Sequence, residues 1–148
     1  MSSEALASEG RKLTQHEIRQ QALQALFMLD AREDKTPSQA ISFVTRLENP
    51  EDESLETPAF LDSLVLGTWG EMAEIDAWLR LHLTAEWDLM RLTGVERSIL
   101  RLGAYEMRAG NTPPKVALDE ALNLAHDFSD ERAVKLINGV LTQIITEK

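Results

Sequence analysis

Three histidines, His16, His82 and His126, three tryptophans, Trp69, Trp78 and Trp87, and a basic run from Arg11 to Arg19 hold most of the chemical potential of this 148-residue sequence. The histidines stand alone. None sits in an H-E-x-x-H pair, and none follows a glutamate at the Glu-x-x-His spacing that helical di-iron sites require. There is no cysteine, which removes disulfides, thiolate zinc sites, iron–sulfur clusters and cysteine nucleophiles together and suits a reducing compartment. Gly67, Gly70, Gly94, Gly103, Gly110 and Gly139 occur singly, so no glycine-rich loop cradles a phosphate, and nothing has the form of a nucleophile elbow. The residues point to binding, with no enzyme activity, metal or cofactor expected.

Binding chemistry is concentrated near the N-terminus. Between Arg11 and Arg19 stand three bases, Arg11, Lys12 and Arg19, against one acid, Glu17, with His16 beside them. The whole chain nevertheless carries a formal net charge of -10, whereas nucleic-acid affinity draws on cationic contacts to phosphate. Any polyanion must therefore use a local basic edge. The opposite pole is the stretch from Glu48 to Pro58, which holds five carboxylates and no base and reads as a solvated loop. The tryptophans, spaced as on helices, read as core or interface anchors before they read as base-stacking surfaces. Asn138-Gly139 interrupts a helical pattern with a glycine, which implies either close packing against another helix or exposure of Asn138 to a ligand.

The elements that must position these residues are helices. Threonines announce five starts: Thr14 with Glu17 and Thr93 with Glu96 as capping boxes, Thr36-Pro37 with Gln39, Thr57-Pro58 and Thr112-Pro113. A sixth start falls at Ser129 or Asp130. Apolar spacing fits: Ile18, Ala22, Ala25, Leu26 and Leu29 form one stripe, and Val134, Ile137, Val140, Leu141 and Ile144 another. The segment from Ala59 to Leu83 reads as one long helix or as two broken near Gly67 to Gly70. Val95 to Met107 is apolar almost all round and is expected to be the central helix, with Arg101 and Glu106 paired inside it because lone buried charges are costly. No strand alternation is present. The fold class is all-α, residues 13–148 forming one domain behind a flexible tail, 1–12, with a subdomain break near 84–93. No apolar run approaches the roughly 18 residues of a membrane span, and the N-terminus lacks the order of a signal peptide, so a cytoplasmic protein is expected.

From Trp87 to Ile144 the sequence closely resembles the NusB family of transcription antitermination factors. The marks are Glu96-Arg97 leading into Ile99-Leu100-Arg101-Leu102, then Tyr105-Glu106, Pro114-Lys115-Val116, Asp119-Glu120-Ala121 in place of the family's Asn-Glu-Ala, and Lys135 to Val140. Ile18 to Phe27 resembles the family's first helix. The resemblance implies about seven helices in two small packed subdomains. It also implies binding of boxA-type RNA together with the ribosomal protein NusE, inside an RNA polymerase antitermination complex and without contact to a membrane. Carried over by position, it names Arg19, Gln24, Phe27, Lys135 and Asn138 as RNA contacts; the basic run adds Arg11, Lys12 and His16, and Glu86 and Arg91 are candidates for the NusE surface. The bundle also precedes the catalytic part of some RNA methyltransferases, a part not expected here.

Two departures from the family weaken the RNA side. Gln15-His16-Glu17 stands where many relatives carry consecutive arginines, and glutamine or glutamate cannot replace a guanidinium fork on phosphate. Leu136 stands where some relatives place phenylalanine. The alternative is a protein-binding helical adaptor with weak or no RNA binding.

Overall fold

The computed structural model describes residues 13–32, 34–48, 50, 56–83 and 88–147. The expected N-terminal tail, most of the acidic stretch and residues 84–87 within the expected subdomain break lie outside them. Among the described residues the elements are all helical: α1 (Gln15–Ala31), α2 (Pro37–Glu48), α3 (Ala59–Gly70), α4 (Met72–His82), a 3-10 turn (Leu89–Arg91), α5 (Gly94–Ala109), α6 (Pro114–Phe128) and α7 (Glu131–Glu147). None of these helices is long and apolar enough to cross a membrane.

The starts follow local chemistry. Thr14 Oγ1 accepts from the Glu17 amide at 3.1 Å while the Glu17 carboxylate accepts from the Thr14 amide at 2.9 Å, and Thr93 with Glu96 repeats both distances. Thr36 and Gln39 form the same reciprocal pair. Asp130 caps α7 by accepting from the Ala133 amide. Thr57 and Thr112 do not cap. Each precedes a proline that takes the N-cap position in extended backbone, and each hydroxyl donates to a carboxylate instead, Thr57 to Asp62 at 2.6 Å and Thr112 to Glu106 at 3.0 Å. An ionised acceptor outcompetes the weak capping bond.

The helix read from Ala59 to Leu83 is two, joined at Glu71. Gly67 is set by packing: a Cβ there would clash with the outer edge and hydroxyl of the Tyr105 ring, which lies over α3 at this glycine. α5 is the centre. It packs against α1, α3, α4, α6 and α7, and residues 96–104 are all buried. Leu23, Leu61, Leu64, Ile75, Leu79, Ile99, Leu100, Leu102, Leu124 and Ile137 are buried around it in one contiguous cluster to which every α-helix contributes. Trp69 and Trp78 pack against that cluster from its rim; Trp87 lies outside the described residues.

The buried charges on α5 are paired as expected, and two networks do it. Arg101 Nε and Nη2 each donate to Asp76 at 2.9 Å and Nη1 donates to Asp30 at 3.0 Å. Asp30 also accepts from Arg97, whose Nη1 reaches the Leu92 carbonyl at the end of the 3-10 turn. Burial works to raise the Asp30 carboxyl, but the bonds from Arg97 and Arg101 outweigh it and hold the group below the usual carboxylate value. The second network joins α1 to α5 through Arg19 and Glu106.

Candidate nucleic-acid interface

The basic edge expected from Arg11 to Arg19 takes a different form. Arg11 and Lys12 lie outside the described residues, as does Glu86. Arg19 turns inward and is only 3% exposed. Its Nε and Nη2 grip both Glu106 oxygens at 2.8 to 3.2 Å, its guanidinium lies 5.2 Å from the Phe60 ring centre, and Glu120 stands 3.9 Å from Nη1. Carboxylates and an aromatic ring thus occupy the fork that a phosphate would need. The expectation that Arg19 contacts RNA is corrected: it is a core residue that ties α1 to α5.

His16 remains at the surface, 35% of its side chain exposed, yet it too is engaged. Nδ1 lies 3.0 Å from Glu120 and Nε2 lies 3.0 Å from Asp127, both on α6. Only the imidazolium can donate from both nitrogens. The bond to Glu120 does most to raise the His16 pKa, burial opposes it, and the bond to Asp127, a lesser effect than burial, adds to the rise. Gln20, one turn along α1, donates to Asp127 at 3.0 Å.

Further along α1 the surface opens. Gln24 is exposed beside a polar recess of about 70 Å3 that it shares with Glu17, Gln20, Gln21 and Glu48. Phe27 is 43% exposed, and its ring lies across Gly94, where a Cβ would stand 2.9 Å from it. The first turn of α5 then leads to α7. Glu96 accepts from Arg132 at 3.3 Å, and Lys135 sits one turn beyond Arg132, exposed. Asn138, the next residue on that face, is exposed and accepts from Thr142. Gly139 has open space where a Cβ would be, so close helix packing is not its reason. Phe27 over Gly94 and Arg132 on Glu96 therefore flank the start of α5, with Lys135 and Asn138 following on the exposed face of α7, whereas His16 and Arg19 belong to the α1–α6 side. Arg91, exposed on the 3-10 turn, precedes α5. Sequence reasoning missed Arg132, an exposed base whose i, i+3 spacing to Lys135 was the available signal.

A family model described as the NusB family matches residues 16–146. The chain belongs to the NusB family. Two relatives, both called transcription antitermination protein NusB, are 40% identical over 92% of this chain and 92% of the relative, from Enterococcus faecalis, and 39% identical over 90% and 95%, from Lactiplantibacillus plantarum. Among solved structures, NusB from T. maritima superposes with a TM-score of 0.79 at 28% identity, covering 93% of this chain and 94% of that one. A complex of antitermination factors NusB and NusE with double-stranded RNA superposes at 0.76 and 26% identity, covering 92% of this chain and 100% of the matched one. The all-α NusB fold is thus shared from α1 to α7, and its family marks acquire structural meaning: Glu96 caps, Arg97 and Arg101 hold Asp30, and Glu106 holds Arg19.

Proposed function

We propose that this NusB-family chain is a transcription antitermination factor that binds boxA-type RNA of nascent transcripts jointly with the ribosomal protein NusE, in the cytoplasm, by binding alone and without catalysis. The observation that carries the reading is the full-length likeness to the NusB chain found with NusE and RNA. The exposed Phe27 and Gln24 on α1 and Lys135 with Asn138 on α7 are the proposed RNA surface. Phe27 offers a ring for stacking, worth about 1–3 kcal/mol per base. Lys135, and Arg132 once released from Glu96, offer phosphate contacts. With Arg19 and His16 taken up by carboxylates, few cations face RNA among the described residues, and the net charge of -10 opposes it. Ribosomal RNA-binding proteins such as NusE are basic, so the same acidic body favours that partner and steers the heterodimer. RNA affinity must then rise when NusE is present.

One observation favours a second reading, a protein-binding adaptor with little RNA affinity. Phe43 and Leu47 stand exposed on the outer face of α2 and line an open groove of about 540 Å3 with Ser42 and Arg46. Titration of a labelled boxA-like RNA at two salt concentrations, with and without NusE, separates the two. Tighter binding with NusE and a shallow salt slope support the first reading; equal and weak binding in both arms favours the second.

A further inference from the structure

Among the described residues, the charged groups around His16 can be placed. On α1 itself stand Glu17 and Arg19; behind Arg19 on α5 stands Glu106; across the helix interface on α6 stand Glu120 and Asp127. The two α6 carboxylates differ in access. Glu120 is the inner one, its side chain 21% exposed and within 3.9 Å of Arg19, while Asp127 is the outer one at 40%. Asp127 alone accepts from both His16 and Gln20, each at 3.0 Å. These two donors are what the first turns of α1 could otherwise present to a phosphate.

We infer that Asp127 is a built-in anionic competitor for RNA: it occupies the donors of His16 and Gln20, and a phosphate reaches that end of α1 only by displacing it. The inference rests on the proposed RNA binding and extends its surface from Gln24 back along α1 through the recess that Gln20 and Gln24 both line. Glu120 holds the imidazolium in place from the inner side, so displacement of Asp127 frees Nε2 without releasing the ring. A partner that draws Asp127 away, a basic protein above all, would open the same donors, which gives cooperativity with a basic co-ligand a local origin. Removing one negative charge about 6 Å from a phosphate in a water-like dielectric tightens binding about threefold at low salt, and the gain fades as salt rises.

The test is anisotropy titration of a boxA-like RNA with the wild type, Asp127→Asn and Glu74→Gln, each with NusE present, at low and at moderate salt. Glu74→Gln makes the same change in net charge at an exposed site on α4. In parallel, the ring protons of His16 are titrated by NMR. The expected result is binding about threefold tighter for Asp127→Asn and unchanged for Glu74→Gln. The His16 midpoint should lie above 6.5 in the wild type and fall in Asp127→Asn. Equal tightening in both variants means general charge repulsion and overturns the inference, as does a wild-type His16 that titrates at 6.5. Wild-type protein that fails to bind the RNA even with NusE sinks the proposed function and this inference with it; wild-type binding that Asp127→Asn leaves unchanged sinks the inference alone. Should Asp127→Asn lose helicity, Asp127→Ser serves the same comparison.

Discussion

Replacing Arg19 by methionine separates a core ion pair from a surface contact. The substitution keeps an unbranched stem but leaves Glu106, 4% exposed, with only the Thr112 hydroxyl to replace a bidentate guanidinium. Breaking a buried pair by removing one partner costs about 3–5 kcal/mol, because the remaining charge stays desolvated and uncompensated. Loss of the guanidinium over Phe60 adds about 1 kcal/mol. For a chain of this length each kcal/mol lowers Tm by roughly 2–4 °C, so a fall of about 8–24 °C is expected. Urea unfolding followed by circular dichroism gives the free energy directly, and the double variant Arg19→Met/Glu106→Leu is the control. An apolar pair of similar volume is about neutral or better, so the double variant should recover most of the loss. Any weakening of RNA binding in Arg19→Met should track the unfolded fraction. A loss of stability within about 0.5 kcal/mol, the range of an ordinary surface substitution, would refute the assignment of Arg19 to the core.

Gly67→Ala forces a methyl group against the Tyr105 ring and should cost about 1–3 kcal/mol in denaturant unfolding, since the ring must leave its seat on α3. Gly139→Ala, in the interior of α7 with open space around it, should instead stabilise by about 0.5–1 kcal/mol; destabilisation would show that the helix needs glycine there. The His16 clamp has a folded pKa raised above 6.5, so its contribution is complete below 6.5 and is lost as pH rises through the raised value. Thermal scans should therefore show wild type losing stability relative to His16→Gln as pH rises above 6.5, and parallel curves would count against the clamp.

Helices were legible because their causes are local. The capping boxes at Thr14 and Thr93 lie within four residues of sequence, and the stripes on α1 and α7 repeat at helical spacing. The same holds for the central place of α5, since a helix apolar on all sides has nowhere else to go. Arg19 was misread because its partner lies 87 residues away, and a count of charges between Arg11 and Arg19 cannot see Glu106 turning towards it. Thr57 and Thr112 failed as caps for a local reason: the following proline takes the N-cap position, and a nearby carboxylate, Asp62 or Glu106, claims each hydroxyl. Of the proposed RNA surface, Phe27 and Lys135 were legible only through their likeness to family positions. The buried stripe of α1 puts Phe27 off the core, but the glycine on α5 that leaves room for its ring, Gly94, is too distant in sequence to be linked to it.

Asp30 leaves the ribosome long before the guanidiniums that neutralise it, Arg97 and Arg101, 67 and 71 residues later. Asp76, the other acid of that network, also precedes its arginine. During synthesis the first half of the chain therefore carries unmatched negative charge at the very surfaces it must bury, and it has no reason to close early. Closure waits for α5, which delivers both arginines and the central surface against which α1, α3, α4, α6 and α7 pack. Nascent chains halted before residue 89 should stay protease-sensitive, and those extended past α5 should gain protection together rather than helix by helix.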